Sequence, residues 1–183
     1  KVAVVGSGPA GLACANRLNR MGYSVTVYEK DELPGGLLRF GIPNFKLGKE
    51  IVRRRIRLME EEGIVFKTGV CIGSDIKSSD ILEKYDAVCL AIGSETPRDL
   101  PVEGRGLSGV HFALELLSMQ NRLLEGIPVP PEKQINARGK KVLVIGGGDT
   151  GSDCVGTANR HGAASVTQIE IMPCPPEGYN PAT

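Results

Sequence analysis

Short runs of apolar residues, each ending at a glycine, recur along the chain and predict the strands of a parallel sheet. The clearest runs are Val2–Val5, 85–92 and 142–145, which end at Gly6, Gly93 and Gly146. Continuous apolar runs of this length are typical of strands that are covered on both faces. Shorter strands are predicted over residues 24–28, 64–67 and 166–169.

Helices are predicted between these strands, where apolar residues recur every three to four positions. Val52, Ile56 and Met59 should form the buried stripe of one of them. The predicted helices run from the first glycine-rich turn to about Met21, over 49–63, over 110–124 with Leu114, Leu117 and Leu124 on one side, and from the second glycine-rich turn to Gly162.

The turn after the first strand reads GSGPAG over residues 6–11, which is the spacing G-x-G-x-x-G. Gly6 permits a tight turn, Gly8 lets a pyrophosphate approach the backbone, and Gly11 lets the helix pack closely on the sheet. The helix N-terminus offers unpaired N–H groups and a partial positive charge to phosphates. Glu29 ends the next strand, 18 residues after Gly11, where a carboxylate can accept hydrogen bonds from ribose hydroxyls. Other α/β folds contain such a turn, but the complete set of features predicts a nucleotide site.

The same set recurs later in the chain. Gly146, Gly148 and Gly151 take the three glycine positions, and Glu170 follows Gly151 by 19 residues. Two complete sets predict two dinucleotides, one in each domain. We therefore expect an α/β fold with two Rossmann-like, three-layer, parallel-sheet domains, over residues 1–106 and 107–183, both incomplete in this fragment.

Two segments between the glycine-rich turns leave alternatives open. Residues 31–45 are rich in Gly and Pro yet carry several apolar side chains, which favours a loop folded over a ligand rather than a plain surface loop. The helix over 49–63 carries Arg53, Arg54, Arg55 and Arg57. These arginines form either a solvated basic face or a docking surface for a partner subunit. Gly93 is placed for a backbone contact with a cofactor or for the crossing into the second domain.

Composition excludes several classes of function. The formal net charge of the 183 residues is +1, so nothing favours nucleic acid or an anionic membrane as a partner. No apolar run approaches the roughly 20 residues of a membrane span. The five cysteines are scattered, without a CxxC pair, which fits reduced thiols in the cytoplasm and predicts no metal site. We read His111 and His161 as structural and predict no catalytic acid, base or nucleophile.

Five motifs give the chain a resemblance to a known family. They are VVGSGPAGLACA, GGLLRFGIPNFKL, YDAVCLAIGS, VIGGGDTGSDC and EIMPCPPE. The chain resembles the small (beta) subunit of glutamate synthase and, more widely, the FAD- and NAD(P)H-dependent oxidoreductases related to adrenodoxin reductase. The resemblance implies FAD at the first turn and NADH or NADPH at the second.

The resemblance also implies residue roles. Glu29 would hold the adenosine ribose of FAD, Leu37 and Leu38 would line the flavin, and Val70 would lie by the adenine. The cofactor-binding residues expected at the first site are Gly6, Ser7, Gly8, Pro9, Ala10, Gly11, Glu29, Lys30, Gly36, Leu37, Leu38, Val70, Ala91, Ile92 and Gly93. Those expected at the second site are Gly146, Gly147, Gly148, Asp149, Thr150, Gly151 and Glu170.

The implied activity is hydride transfer from NAD(P)H to FAD, followed by electron transfer to iron–sulfur clusters and a large glutamate synthase subunit. The clusters are expected outside this fragment, because the chain begins at Lys1 rather than at a methionine and the cysteine-rich segment would precede it. We expect the isolated fragment to be inactive. Alternatives are an electron-transfer subunit of another complex, a disulfide reductase, and a non-catalytic nucleotide-binding module.

The strand that ends in Glu170 carries a hypothesis about cofactor choice. A carboxylate there suits the free hydroxyls of an NADH ribose, whereas it would repel the 2′-phosphate of NADPH. NADPH users of this family usually carry two arginines just after this position. Ile171 and Met172 stand there instead, so we expect a preference for NADH.

Overall fold

The structure, a computed structural model, describes residues 1–173. It divides into two compact units, Lys1–Lys133 and a second that begins at Gln134. The first unit contains β1 Val2–Val5, α1 Pro9–Arg20, β2 Val25–Tyr28, α2 Leu37–Phe40, α3 Lys49–Glu61, β3 Val65–Lys67, α4 Ser78–Lys84, β4 Ala87–Leu90, α5 Ala113–Leu124 and a 3-10 turn, Pro131–Lys133. The second contains β5 Lys141–Ile145, α6 Asp149–Arg160 and β6 Ser165–Ile169.

The sheet of the first unit has four parallel strands in the order β3-β2-β1-β4. Val4 of β1 pairs with Val27 of β2 on one side and with Cys89 of β4 on the other. The carboxyl end of β1 is therefore flanked by the ends of both neighbouring strands. Ligands of open parallel sheets bind at this edge.

Both faces of this sheet are covered, as the three-layer prediction requires. On one face, the predicted stripe of Val52, Ile56 and Met59 is buried against Val4 and Val27. On the opposite face, α4 and the residues around it pack on the sheet through Ala3, Tyr28, Ile81 and Tyr85. Full burial of a Val or Met side chain contributes about 1.5–3 kcal/mol relative to exposure, so these contacts fix the strands that carry the glycine-rich turn.

Two predicted elements differ in the structure. The strand predicted over 85–92 is shortened to β4, and Leu90 and Ile92 are 71% and 65% exposed. In α5, Leu114 and Leu124 are exposed, whereas Leu117, Met119 and Asn121 are buried. A polar residue thus shares the buried face, and its backbone partners are described below. The helix α4 was not predicted, because its only buried residue is Ile81.

The division between the two units falls later than the expected domain boundary at residues 106 and 107. Helix α5 belongs to the first unit, because Asn121 and Arg122 bond to residues of the segment between β2 and α3. The proline-rich stretch after residue 125 therefore separates the compact units, and the domain boundary expected at residues 106 and 107 stays a prediction.

The described part of the second unit is one strand–helix–strand unit. β5 and β6 pair in parallel, with Val144 opposite Gln168. Val144, Cys154 and Ala158 are buried between α6 and the sheet, while Leu143 and Ile145 are 57% and 63% exposed. Within residues 1–173, the structure contains no helix long and apolar enough to cross a membrane.

Candidate nucleotide-binding sites

The first glycine-rich turn joins β1 to α1 in the way that the sequence predicts. Gly6 has a φ of 102°, and a Cβ there would overlap the carbonyl oxygen of Ala91. A Cβ on Gly11 would overlap the carbonyl oxygen of Gly6. The space beside Gly8 is open, with no atom within 4 Å of an added Cβ. Two glycines are therefore needed for packing, and the third leaves the N-terminus of α1 open to a ligand.

The carboxylate of Glu29 is buried at the end of β2, 6% exposed. Its Oε2 accepts hydrogen bonds from the backbone N–H of Ser7, at 3.0 Å, and from the Ser7 hydroxyl. Its Oε1 accepts from the N–H of Asp31 at 3.0 Å. A carboxylate offers about four acceptor positions, so one remains on Oε1 for a further donor.

A covering segment, residues 31–42, lies against the first turn. The N–H of Gly35 donates to the Ser7 hydroxyl oxygen at 2.9 Å. Gly36 has a φ of 51°, and a Cβ there would lie 2.8 Å from the Cα of Gly8. Leu38 packs on the core of the sheet, whereas Leu37 is 54% exposed. The predicted loop thus contacts the first glycine-rich turn itself, and only one of its two leucines packs on the core.

The remaining first-site candidates lie around the same sheet edge. Val70 donates its N–H to the carbonyl of Glu29 at 2.9 Å. Lys30, after β2, forms an ion pair with Glu95, after β4, and this hydrogen bond raises the pKa of Lys30. Gly93 has a φ of 71°. Because β1 lies between β2 and β4, the Lys30 pair joins the two strand ends that flank the glycine-rich turn.

The second turn repeats the glycine geometry. Gly146 has a φ of 114°, and a Cβ on Gly151 would overlap its carbonyl oxygen. Gly148, just before α6, has open space around it. Asp149 and Thr150 open the helix and are exposed. The second helix N-terminus is thus also free to receive a phosphate.

Among the described residues, only backbone groups bond to the carboxylate of Glu170, the acid of the second site. Glu170 accepts hydrogen bonds from Gly147 through Oε2 and, through Oε1, from Ile171 at 2.6 Å and Met172 at 3.1 Å. The donors on Met172, Gly147 and Ile171 lower the pKa of Glu170, which is fully exposed. Gly147 has no hydroxyl corresponding to that of Ser7. The two acids therefore occupy matching positions, with Glu29 enclosed and Glu170 open to solvent.

A buried polar cluster beside the first site was missed from the sequence. Arg39 and Lys49 are each 2% exposed, and the side chain of Glu125 is 3% exposed. Burial lowers the pKa of Lys49, and the charge of Glu125 partly offsets this effect. Lys49 donates to the carbonyls of Leu38, at 3.1 Å, and Ile42. Of the three residues, only Arg39 lies in the loop predicted over residues 31–45, so no local sequence pattern indicates this cluster.

Cys14 and His161 each have a neighbour from a distant part of the sequence. Cys14 and Cys89 are distant in sequence and meet between α1 and β4. The pKa of Cys14 is raised, mainly by burial and to a smaller extent by a hydrogen bond to Cys89. This adjacency was not predicted. His161 accepts a hydrogen bond from the N–H of Ala137 at 3.4 Å. Among the described residues, no group of three His, Cys, Asp or Glu side chains could hold a metal ion; Cys174 lies outside that range.

Comparison with known proteins confirms the resemblance. The chain is 51% identical over 178 residues to Glutamate synthase [NADH] of Schizosaccharomyces pombe, covering 96% of this chain and 8% of that protein. It is also 51% identical over 185 residues to the Glutamate synthase [NADPH] small chain of Mycobacterium tuberculosis, covering 100% of this chain and 38% of that one. The chain thus spans well under half the length of these relatives.

A solved structure shares the fold. Mycobacterium tuberculosis FprA in complex with NADPH superposes with a TM-score of 0.71 at 23% identity, over 91% of this chain and 42% of that one. This likeness confirms the predicted Rossmann-like architecture. The family model described as pyridine nucleotide-disulphide oxidoreductase matches residues 1–182, and the chain belongs to that family.

Proposed function

We propose that the chain binds FAD at the first turn and NADH or NADPH at the second, as the cofactor-binding part of a glutamate synthase. The observation that carries this proposal is the pairing of two matched nucleotide turns, each with a strand-end acid, in a chain 51% identical to glutamate synthases. The whole enzyme would then deliver electrons from the nicotinamide cofactor to glutamate formation.

The residues of the first site fit an adenine dinucleotide. Gly8 leaves open space at the N-terminus of α1, where backbone N–H groups and the helix dipole favour a pyrophosphate. Glu29 keeps one acceptor position for a ribose hydroxyl. The covering segment, with Gly36 against Gly8, would enclose the bound phosphates. Gly148 and Glu170 have the same arrangement in the second unit and would bind the phosphates and the ribose of the nicotinamide dinucleotide.

When bound, the two cofactors supply the redox chemistry, a hydride passing from nicotinamide to flavin. The protein's task is to bind, orient and shield them. Glu29 and Glu170 fix the ribose ends, and the two helix N-termini hold the phosphates. The N–H groups that bond to Glu170 lower the pKa of this carboxylate, which is ordinarily ionised at neutral pH, so it can accept hydrogen bonds without taking up a proton. No side chain of the chain is assigned a catalytic acid or base role.

The partner we propose is the large subunit or domain of glutamate synthase, which would receive the electrons through iron–sulfur clusters outside residues 1–183. The S. pombe relative is named Glutamate synthase [NADH], and this chain matches 8% of its length, which supports a larger partner region. A cytoplasmic location fits the free thiols of Cys14, Cys71 and Cys89. The relatives are named for NADH and for NADPH at equal identity; we propose NADH, from Glu170.

An absorbance spectrum of the full-length protein, with and without NADH, tests this function. We expect a flavin spectrum that bleaches when NADH is added without oxygen. A protein without a flavin spectrum would instead be a nucleotide-binding module. The adjacent pair Cys14 and Cys89 makes it worthwhile to repeat the assay with a disulfide as acceptor. Rapid reoxidation by the disulfide would favour a disulfide reductase, and reoxidation by a co-purified large subunit would favour glutamate synthase.

A further inference from the structure

The last turn of α5 bonds to the covering segment through three side chains. Asn121, which is 1% exposed, is the deepest of them. Its Nδ2 donates to the backbone carbonyls of Phe40 at 3.0 Å and Ile42 at 3.2 Å. A buried side chain that bonds to two carbonyls of a loop fixes the path of that loop, because the Phe40 carbonyl would otherwise lose this donor and the Ile42 carbonyl would keep only Lys49.

Arg122 holds the opposite end of the covering segment. Its guanidinium pairs with the carboxylates of Asp31 and Glu32, each at 2.5 Å, and stacks on the ring of Phe40, 4.7 Å from the ring centroid. The same side chain thus contacts both ends of the segment. The N–H of Asp31 also bonds to Glu29. Asp31 therefore connects Arg122 to the acid of the first site.

Glu125 closes the third contact, at the middle of the segment. Its carboxylate pairs with Arg39 at 3.1 Å, and both side chains are 3% exposed. The other oxygen lies 3.4 Å from Arg53 of α3. Arg39 also donates to the carbonyl of Pro34 at 2.6 Å. A buried pair of this kind costs desolvation and is seldom a net source of stability, so its clearest effect is to fix one conformation.

We propose that Asn121, Arg122 and Glu125 form a positioning clamp that holds the covering segment on the first glycine-rich turn and thereby sets the affinity of that site for FAD. The inference rests on the proposed function, since FAD is the ligand assigned to the turn. None of the three side chains is placed in contact with the cofactor. They act through Gly35 and Gly36, which touch Ser7 and Gly8.

The physical reason is preorganisation. A free glycine-rich loop would lose conformational entropy when it closes over a ligand, and this loss weakens binding. Gly35 and Gly36 are the most permissive part of the segment, and bonds from α5 hold the residues on both sides of them. With the clamp intact, the loop is ordered before the cofactor arrives. Without it, each binding event must order the loop again.

The test compares Arg122→Ala and Glu125→Gln with a matched control, Arg57→Ala, in the full-length protein. Arg57 forms an exposed pair with Glu61 on α3 and has no contact with the covering segment among the contacts described. The flavin-stripped protein is titrated with FAD, followed by flavin fluorescence. We expect the dissociation constant for FAD to rise at least about fivefold in both clamp variants, the lower end of typical coupling between linked sites, and to stay unchanged in the control.

Two further measurements separate positioning from general destabilisation. Hydrogen exchange of the flavin-free protein should show faster exchange at residues 35–41 in the clamp variants, with β1 and β2 unaffected. The affinity for NADH at the second site should not change. Unaltered FAD affinity in a folded Arg122→Ala variant would overturn the clamp while leaving the proposed function intact. A wild-type protein that binds no FAD would overturn both.

Discussion

Ser7 and Gly147 occupy matching positions in the two turns and differ by one side chain. The Ser7 hydroxyl donates to Glu29 and accepts from Gly35, so it links the acid, the turn and the covering segment. Gly147 offers only its backbone N–H to Glu170, and a Cβ there would lie 2.6 Å from the Oε2 of that acid. At the residue scale, each acid accepts a hydrogen bond from a backbone N–H of its own turn. The two sites differ in burial, because Glu29 is enclosed and Glu170 is exposed.

The smallest decisive change at the first site is Gly11→Val. A side chain at this position would overlap the carbonyl oxygen of Gly6, so α1 must move away from the sheet and the phosphate seat is lost. We expect the purified full-length variant to carry no FAD, measured by its visible absorbance. Ala13→Val, at an exposed position of the same helix, serves as the control and should keep its flavin. A wild-type flavin content in Gly11→Val would contradict the assignment of the first site.

The choice between NADH and NADPH is a second prediction at this scale. Glu170 is ionised at neutral pH and should repel a 2′-phosphate. The double variant Glu170→Ala with Ile171→Arg removes a like charge and adds a bidentate partner for the 2′-phosphate. We expect its preference to shift toward NADPH roughly 10- to 100-fold. The measurement is the rate of flavin reduction by each cofactor. A wild-type protein that favours NADPH tenfold or more would show that Glu170 has been misread.

At the scale of elements, the burial of Cys154 in α6 leads to a prediction about the reactivity of its thiol. Burial, helped by the charge of Asp153, raises the pKa of Cys154 to about 11. At pH 8 only about one thiol in a thousand is then ionised, and the thiolate is the reactive form. Iodoacetamide should therefore label Cys154 slowly in the native protein and quickly after unfolding in guanidinium chloride, as followed by peptide mass spectrometry. Equal rates in both states would show that α6 does not bury this residue.

The elements beside the glycine-rich turns could be predicted because their signals are local. Glycine positions, apolar runs and the strand-end acids determined β1, α1, β2 and their counterparts β5, α6 and β6 within a few residues. Helix α4 was not predicted because Ile81 is its one buried residue, and a single apolar position gives no amphipathic periodicity. The face of α5 was misjudged because Asn121 is buried by bonds to residues about 80 positions earlier. No local pattern carries that information.

The same limit applies to the candidate sites. The residue types expected to bind phosphate and ribose follow from spacing alone, and the structure brings Glu29 against Ser7 and Gly36 against Gly8. The exposure of Leu37, the meeting of Cys14 with Cys89, and the pairing of Arg39 with Glu125 depend on which segments pack together. Such contacts are long-range, so they could be recognised only in three dimensions.

At the scale of the whole chain, each unit exposes apolar strand residues. Leu90 and Ile92 are exposed at β4, and Leu143, Ile145 and Ile169 are exposed in the second unit. Open strand edges and apolar faces promote association. The chain matches only 38% of its M. tuberculosis relative, so residues outside residues 1–183 are candidates to cover these positions in a full-length protein.

The 183-residue chain expressed alone should therefore associate. We expect light scattering after size exclusion to show species larger than the monomer. The variant Leu143→Thr with Ile145→Thr, which places polar, β-branched side chains of good strand propensity at both positions, should reduce the association. A monodisperse wild-type monomer at high concentration would contradict this expectation.

The unequal enclosure of the two acids has a consequence for how long each ligand stays. Under the proposed function, a ribose held by Glu29 would break its hydrogen bond at a carboxylate that is only 6% exposed, beside a segment that bonds to α5. A ribose held by the fully exposed Glu170 would exchange its bond directly with solvent. The two proposed cofactors would then differ in residence time. FAD would stay bound through many turnovers, and the nicotinamide cofactor would leave after each one.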